Sequence, residues 1–165
     1  MVVGCCIIAP AGRYFTKKRC LCLLQKSLQM KHRQINVILG AGLVLVIDQL
    51  SKFFATQAGL VQLNPGIAFS FGGAVPQVVY LISGLILLGG SWKLLKSYWF
   101  SHILIAGGFF GAAGSNLIDR VIFGGVRDWL AIPGTSISNN VADWVLSFAV
   151  VLVAFDTIAK VKNDN

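Results

Sequence analysis

The stretch INVILGAGLVLVIDQLSKFFA, residues 35–55, decides the fold class. It carries no charge before Asp48, and its length matches the roughly 20 residues that an α-helix needs to cross the hydrocarbon core of a bilayer. Near its end stand Asp48 and Lys52, four positions apart and therefore on one helical face. An ionisable group at the centre of a span costs about 2.5–3.5 kcal/mol or more, so charges that remain there are paired or functional. A structural ion pair is the simpler reading of these two.

Three more runs of this kind follow, at about 75–95, 99–123 and 141–159. The expectation is an all-α integral membrane protein, a bundle of four transmembrane helices. Composition agrees: 56% of the 165 residues are hydrophobic and 12% are charged, where soluble domains carry about 25% charged. A chain this small has too little interior to hide so much apolar surface from water. The same excess excludes disorder.

The net charge is +8, and the six acids are all Asp. Seven of the fourteen basic residues precede residue 35, with no acid among them. Such a run can be a nucleic-acid patch. Beside a hydrophobic span it reads better as a cytoplasmic anchor on anionic lipid, with no nucleic-acid partner. Residues 1–34 are thus expected to form a basic arm, 35–160 the membrane domain and 161–165 a polar tail. Met30 ahead of a basic triplet also resembles a natural start, which would make the preceding residues an extension. Lys93 and Lys96, read as a link between the second and third spans, and Lys160 and Lys162 then fall on the side of the arm. Both termini are expected in the cytoplasm, and the loops 56–74 and 124–140 outside. Cys5, Cys6, Cys20 and Cys22 fit no zinc spacing and should be reduced thiols at a cytoplasmic end. His32 and His102 are far apart with no second metal ligand at useful spacing, and no phosphate-binding glycine loop occurs, so no metal and no cofactor are expected.

The polar residues inside or beside the spans form a few clusters. Asn64-Pro65-Gly66 marks a turn in the first outer loop. Asn116, Asp119 and Arg120 end the third span at i, i+3 and i+4, which places them on one face. Asp128 lies in the second outer loop, and Asn140 with Asp143 opens the fourth span, where a helix amino terminus favours a carboxylate. A loop folding back between Asp128 and Asp143 can bring the two carboxyls together. Two carboxyls in one site do not both ionise easily, so one can act as acid while the other activates water. Two separate structural acids are the alternative that the spacing leaves open.

Taken in order, Asp48-Gln49-x-x-Lys52, Asn64-x-Gly66-x-Ala68-Phe69, Asn116-x-x-Asp119-Arg120, Val126-x-Asp128 and Asn140-x-Ala142-Asp143 resemble the motifs of lipoprotein signal peptidase, also called signal peptidase II. The likeness covers about residues 35–160. It implies four transmembrane helices with a small outward-facing β-cradle, to which Ile67–Phe71 would belong. It implies an aspartyl endopeptidase of the bacterial inner membrane, cutting prolipoproteins just before the lipid-modified cysteine. Its partners would be prolipoprotein signal peptides and membrane lipid, and the expected state is a monomer. Asp128 and Asp143 match the catalytic pair. Asn64, Gly66, Asn116, Arg120 and Asn140 match residues that contact substrate or hold the site, and Asp48, Lys52 and Asp119 match supporting positions. The chain departs from the family pattern at Ser115, Trp129 and Asn139 and in the short 129–139 loop, which bears on cleft shape and substrate preference. A proton-coupled transporter component and a non-catalytic lipoprotein-binding relative are the rival functions.

Overall fold

The protein is described by a computed structural model that covers residues 17–66, 75–135 and 137–163. Among these residues lie four helices: α1 (Lys17–Gln57), α2 (Gln77–Ser101), α3 (Ile103–Phe123) and α4 (Val141–Asn163). Three are long and apolar enough to cross a membrane, over Gln25–Gln57, Gln77–Ser101 and Val141–Lys162. Helix α3 is continuous, but Asn116, Asp119 and Arg120 interrupt its apolar run; it is the central element, packed on α1, α4 and α2.

The distribution of polarity is the reverse of that in a soluble domain. Leu94, Leu104, Phe148 and Leu87 stand exposed, whereas the largest fully buried side chains after Trp99 are Lys52, Asn140, Asp48, Asp119 and Asp128. Apolar side chains meet lipid at no cost, while backbone and charged groups must be satisfied within the protein.

Small residues let α3 lie directly on α1. A Cβ added at Gly107 would sit 3.1 Å from the Cα of Gly40, and one at Gly111 would sit 2.9 Å from the Cα of Ala41. Close backbone approach of this kind replaces the hydrophobic drive that lipid removes. Gly111→Ala must therefore push the two helices apart, and we expect a loss of about 1–3 kcal/mol. Gly114→Ala, where the added carbon meets only a Leu45 methyl at 3.7 Å, should cost much less. Thermal unfolding of both variants in detergent checks the contrast.

The boundary between the second and third spans differs from the expectation. Lys93 and Lys96 lie inside α2, which leaves helical geometry at Leu95 (φ −106°, ψ 17°) and continues to Ser101. The chain turns only at His102. Long lysine stems can carry their charge from within a helix to the interface, so a charged pair need not mark a loop. Packing here is aromatic. Trp99 is 1% exposed, donates its indole N–H to the Ser91 carbonyl at 3.0 Å, and stacks on Phe109. Helix α1 also begins well before residue 35, and α4 carries Lys160 and Lys162 within its last turn.

Four short strands connect the helices: β1 (Gln62–Asn64), β2 (Val126–Asp128), β3 (Leu130–Ala131) and β4 (Ser138–Asn139). They form two antiparallel pairs, β1 with β2 and β3 with β4. In the first, Asn64 lies opposite Val126 and Gln62 opposite Asp128, so Asn64 and Asp128 are diagonal neighbours on one face. A Cβ at Gly125 would sit 2.9 Å from the Asn64 carbonyl, which explains a glycine there. The second pair returns the chain to Asn140 at the start of α4. The extended stretch expected at Ile67–Phe71 lies outside the described residues.

Candidate active site

Asn140 precedes α4, and its Oδ1 accepts the backbone N–H of Asp143 at 2.9 Å, an ordinary amino-terminal cap. That cap turns its Nδ2 towards two carboxyls. It donates to Asp128 Oδ1 at 2.7 Å and to Asp143 Oδ2 at 2.9 Å. The loop folds back as the two-carboxyl reading requires, and one amide nitrogen joins the pair. The remaining oxygens are also held by amides: Asn64 Nδ2 donates to Asp128 Oδ2 at 2.9 Å, and Asn116 Nδ2 donates to Asp143 Oδ1 at 2.8 Å. Three asparagines thus hold four carboxyl oxygens. All three donors are neutral, so they fix the geometry without neutralising the charge.

Behind this pair lies a sealed cluster of charge. Lys52 Nζ bridges Asp48 Oδ2 at 2.7 Å and Asp119 Oδ2 at 3.1 Å. Asp119 Oδ1 also accepts the Arg127 guanidinium at 2.8 Å, and its Oδ2 accepts the Arg127 backbone N–H at 3.0 Å. Asp48 Oδ1 accepts the Ala142 backbone N–H at 2.8 Å, which ties α1 to the start of α4. Asp48, Lys52 and Asp119 are all 0% exposed. Asp143, Asn116 and Asn64 are only half-buried, so the site opens on their side.

Asn116, Asp119 and Arg120, expected on one face, divide between two places. Asn116 and Asp119 join the charge cluster. Arg120 turns towards the Asn64-Pro65-Gly66 turn, where its guanidinium donates to the carbonyls of Pro65 and Gly66 and to Gln77 Oε1. It also covers the Tyr80 ring at 4.7 Å. The Gly66 backbone N–H bonds Asn64 Oδ1 at 3.0 Å. Arg120 therefore holds the turn that presents Asn64 and does not touch the carboxyl pair through any of these bonds.

Three contributors were absent from the residues singled out in the sequence. Gln49 donates to Asp119 Oδ1 and Ser115 Oγ, each at 2.9 Å, and accepts from Arg127 at 2.7 Å. Ser115 donates to Asp48 Oδ2 at 2.7 Å. Arg127 stacks on Phe123 at 4.1 Å and anchors β2 beside Asp128. Gln49, next to Asp48 in the first motif, was the most readable of them. Ser115 stood out only as a departure from the family pattern, and Arg127 gave no signal beyond lying beside Asp128.

Asp128 is 2% exposed, and burial pushes its carboxyl above the usual range, against the amides of Asn64 and Asn140 and the charge of Lys52. Two carboxyls held together by shared amides, in a site where burial opposes ionisation, can divide acid and base work between them.

The family described as Signal peptidase (SPase) II matches residues 40–159. A lipoprotein signal peptidase of Syntrophus aciditrophicus (strain SB) is 31% identical, over 81% of this chain and 98% of its own length. Two solved structures, each described as a bacterial membrane enzyme determined by the in meso method, share the fold. One, at 2.3 Å resolution, has a TM-score of 0.63 at 22% identity and covers 78% of this chain and 91% of its own. The other, at 1.9 Å, has a TM-score of 0.53 at 22% identity and covers 73% and 91%.

Proposed function

The chain belongs to the signal peptidase II family of proteases, and from that premise we propose that it is an aspartyl endopeptidase acting on prolipoproteins. It hydrolyses the amide just before the diacylglyceryl-modified cysteine, with Asp128 and Asp143 as an acid/base pair. The observation that carries this reading is the single Asn140 amide nitrogen donating to both carboxyls.

In the reaction, the ionised member of the pair takes a proton from water as its oxygen attacks the scissile carbonyl carbon. The neutral member gives its proton to the carbonyl oxygen. The tetrahedral species then collapses: a hydroxyl returns its proton to the member that has become ionised, the C–N bond breaks, and the leaving nitrogen takes the proton that the other member drew from water. The pair titrates as a unit, so the two roles belong to the dyad. Asn64, Asn116 and Asn140 hold the carboxyls in place, and the Asp48–Lys52–Asp119 cluster supports them from behind. Arg120 and Gly66 set the turn beside the entrance.

We place the protein in the bacterial inner membrane as a monomer, with α3 as the third of four spans and the two strand pairs as the outward-facing cradle. Both termini face the cytoplasm, and the basic arm 1–34 rests on anionic lipid. The substrate enters from lipid as a signal helix while water reaches the dyad from outside, so the site belongs at the outer edge of the bilayer.

The test uses purified protein in detergent with two peptides of one lipobox sequence, one carrying the diacylglyceryl cysteine and one unmodified. Mass spectrometry should show one cut, on the amino side of the modified cysteine. Equal cutting of both peptides, or a cut elsewhere, would count against the assignment. The pH dependence supplies a second expectation. Asn64 holds the Asp128 carboxyl down, so Asn64→Ala should let it keep its proton to higher pH. The pH profile of kcat/KM should then move upward, because the pair titrates as a unit and a higher proton affinity at one carboxyl raises the pH at which it does so.

A further inference from the structure

Lys52 does more in this geometry than balance buried charge. Its ammonium has three N–H donors, and they meet Asp48 Oδ2 at 2.7 Å, Asp119 Oδ2 at 3.1 Å and Asn116 Oδ1 at 2.8 Å. The side chain is 0% exposed. No donor remains for a substrate, so Lys52 does not serve as a substrate contact. Its third bond goes to an amide whose other end, Asn116 Nδ2, donates to Asp143 Oδ1 at 2.8 Å. Turned over, that amide would set its NH2 against the ammonium and its oxygen against a carboxylate. Both contacts are repulsive, so Lys52 leaves Asn116 one orientation.

In the other two amides of the dyad the side-chain carbonyl accepts from a backbone N–H. The Asn64 carbonyl meets the Gly66 backbone N–H, and the Asn140 carbonyl meets the Asp143 backbone N–H. The side-chain carbonyl of Asn116 accepts instead from a full positive charge. We propose that Lys52 is a positioning residue for the dyad: acting through Asn116, it fixes one of the two hydrogen bonds on Asp143 and sets the charge against which the pair ionises. The proposal rests on the peptidase reading above and assigns a role inside that site.

The charged groups facing the dyad are Asp48 and Lys52 on α1, Asp119 and Arg120 on α3, and Arg127 on β2 beside Asp128 itself. Asp48, Lys52, Asp119 and Arg127 balance to zero. Removing Lys52 leaves that cluster one charge negative, which makes the neighbouring carboxyls harder to ionise. The sign is therefore fixed: without Lys52 the dyad titrates at higher pH.

The experiment compares the full chain with Lys52→Met, Asn116→Ala and the double variant in detergent. It reads kcat and KM on a lipobox peptide and the carboxyl protonation band by infrared titration without substrate. We expect kcat to fall about tenfold to a hundredfold in each single variant, as misplacement of a reacting group does, with KM little changed. In Lys52→Met the titration should move up by about one pH unit. The double variant should be no slower than the worse single variant, because both remove one linkage. An unmoved titration in Lys52→Met, or multiplicative losses in the double variant, would overturn the proposal. If Lys52→Met does not fold, Lys52→Met/Asp48→Asn replaces it for the kcat reading, and because that cluster stays neutral its titration should remain where it is in the unsubstituted protein. Asn116→Ala keeps both ion pairs of Lys52 and carries the kcat test in any case. Absence of cleavage by the unsubstituted protein would instead overturn the peptidase reading. The infrared titration would still decide whether Lys52 sets the ionisation of the pair.

Discussion

Asp128→Asn and Asp143→Asn are each expected to lower turnover of a diacylglyceryl lipobox peptide by a factor of about 10³–10⁴, at the upper end of what a positioned acid or base contributes. Each substitution keeps shape and removes the ability to accept or hold a proton. Asp128 is bonded to Asn64 and Asn140, and Asp143 to Asn116 and Asn140. An asparagine in either place can keep part of that network by turning its own amide. Folding and peptide binding should therefore persist while kcat is lost. Thermal unfolding in detergent beside kcat and KM separates the two effects. A variant that turns over within tenfold of the unsubstituted protein would remove its residue from the chemistry.

The largest stability effect is expected at Asp119, which takes part in no proton transfer. Its carboxylate accepts from Lys52, Gln49 and both the guanidinium and the backbone N–H of Arg127. These donors come from α1 and β2, so one side chain of α3 ties both to the bundle. Asp119→Ala leaves buried positive charge short of a partner, and breaking a buried pair from one side costs about 3–5 kcal/mol. Lys52 retains Asp48, but Arg127 loses its ion pair. We expect a fall in melting temperature larger than that of Gly111→Ala, with activity lost as β2 loosens around Asp128. A melting temperature within a degree or two of the unsubstituted protein would show that the cluster is not what holds β2.

Much of this site was legible before any coordinates, because polar residues are rare in the chain and each has to be explained. Asp48 and Lys52 at i and i+4 within an apolar span read as a pair, and they form one. The approach of Asp128 to Asp143 was only permitted by spacing. What settles it is the Asn140 cap, whose orientation depends on where the loop returns. The division of Asn116 and Asp119 from Arg120 was not readable either. A helical wheel places neighbours within a wide arc, and only the packed positions of α1 and α2 decide which partner each one meets. The link expected at Lys93 and Lys96 failed for a related reason. Charge was taken as the mark of a loop, while the aromatic cluster around Trp99 carries the helix on to Ser101. Ser115 shows how far a departure from a pattern can be informative. Its hydroxyl donates to Asp48 where glycine would leave that oxygen one bond poorer.

The claim on which the rest depends is that Asp128 and Asp143 act as one unit around a shared amide. The most direct measurement is a double-mutant cycle on single-turnover cleavage of the diacylglyceryl peptide, comparing Asp128→Asn, Asp143→Asn and the two together. Residues that act as a unit are grossly non-additive. The account predicts a double variant no slower than either single one. Losses that multiply, or a single variant that still cleaves at the original rate, would contradict it.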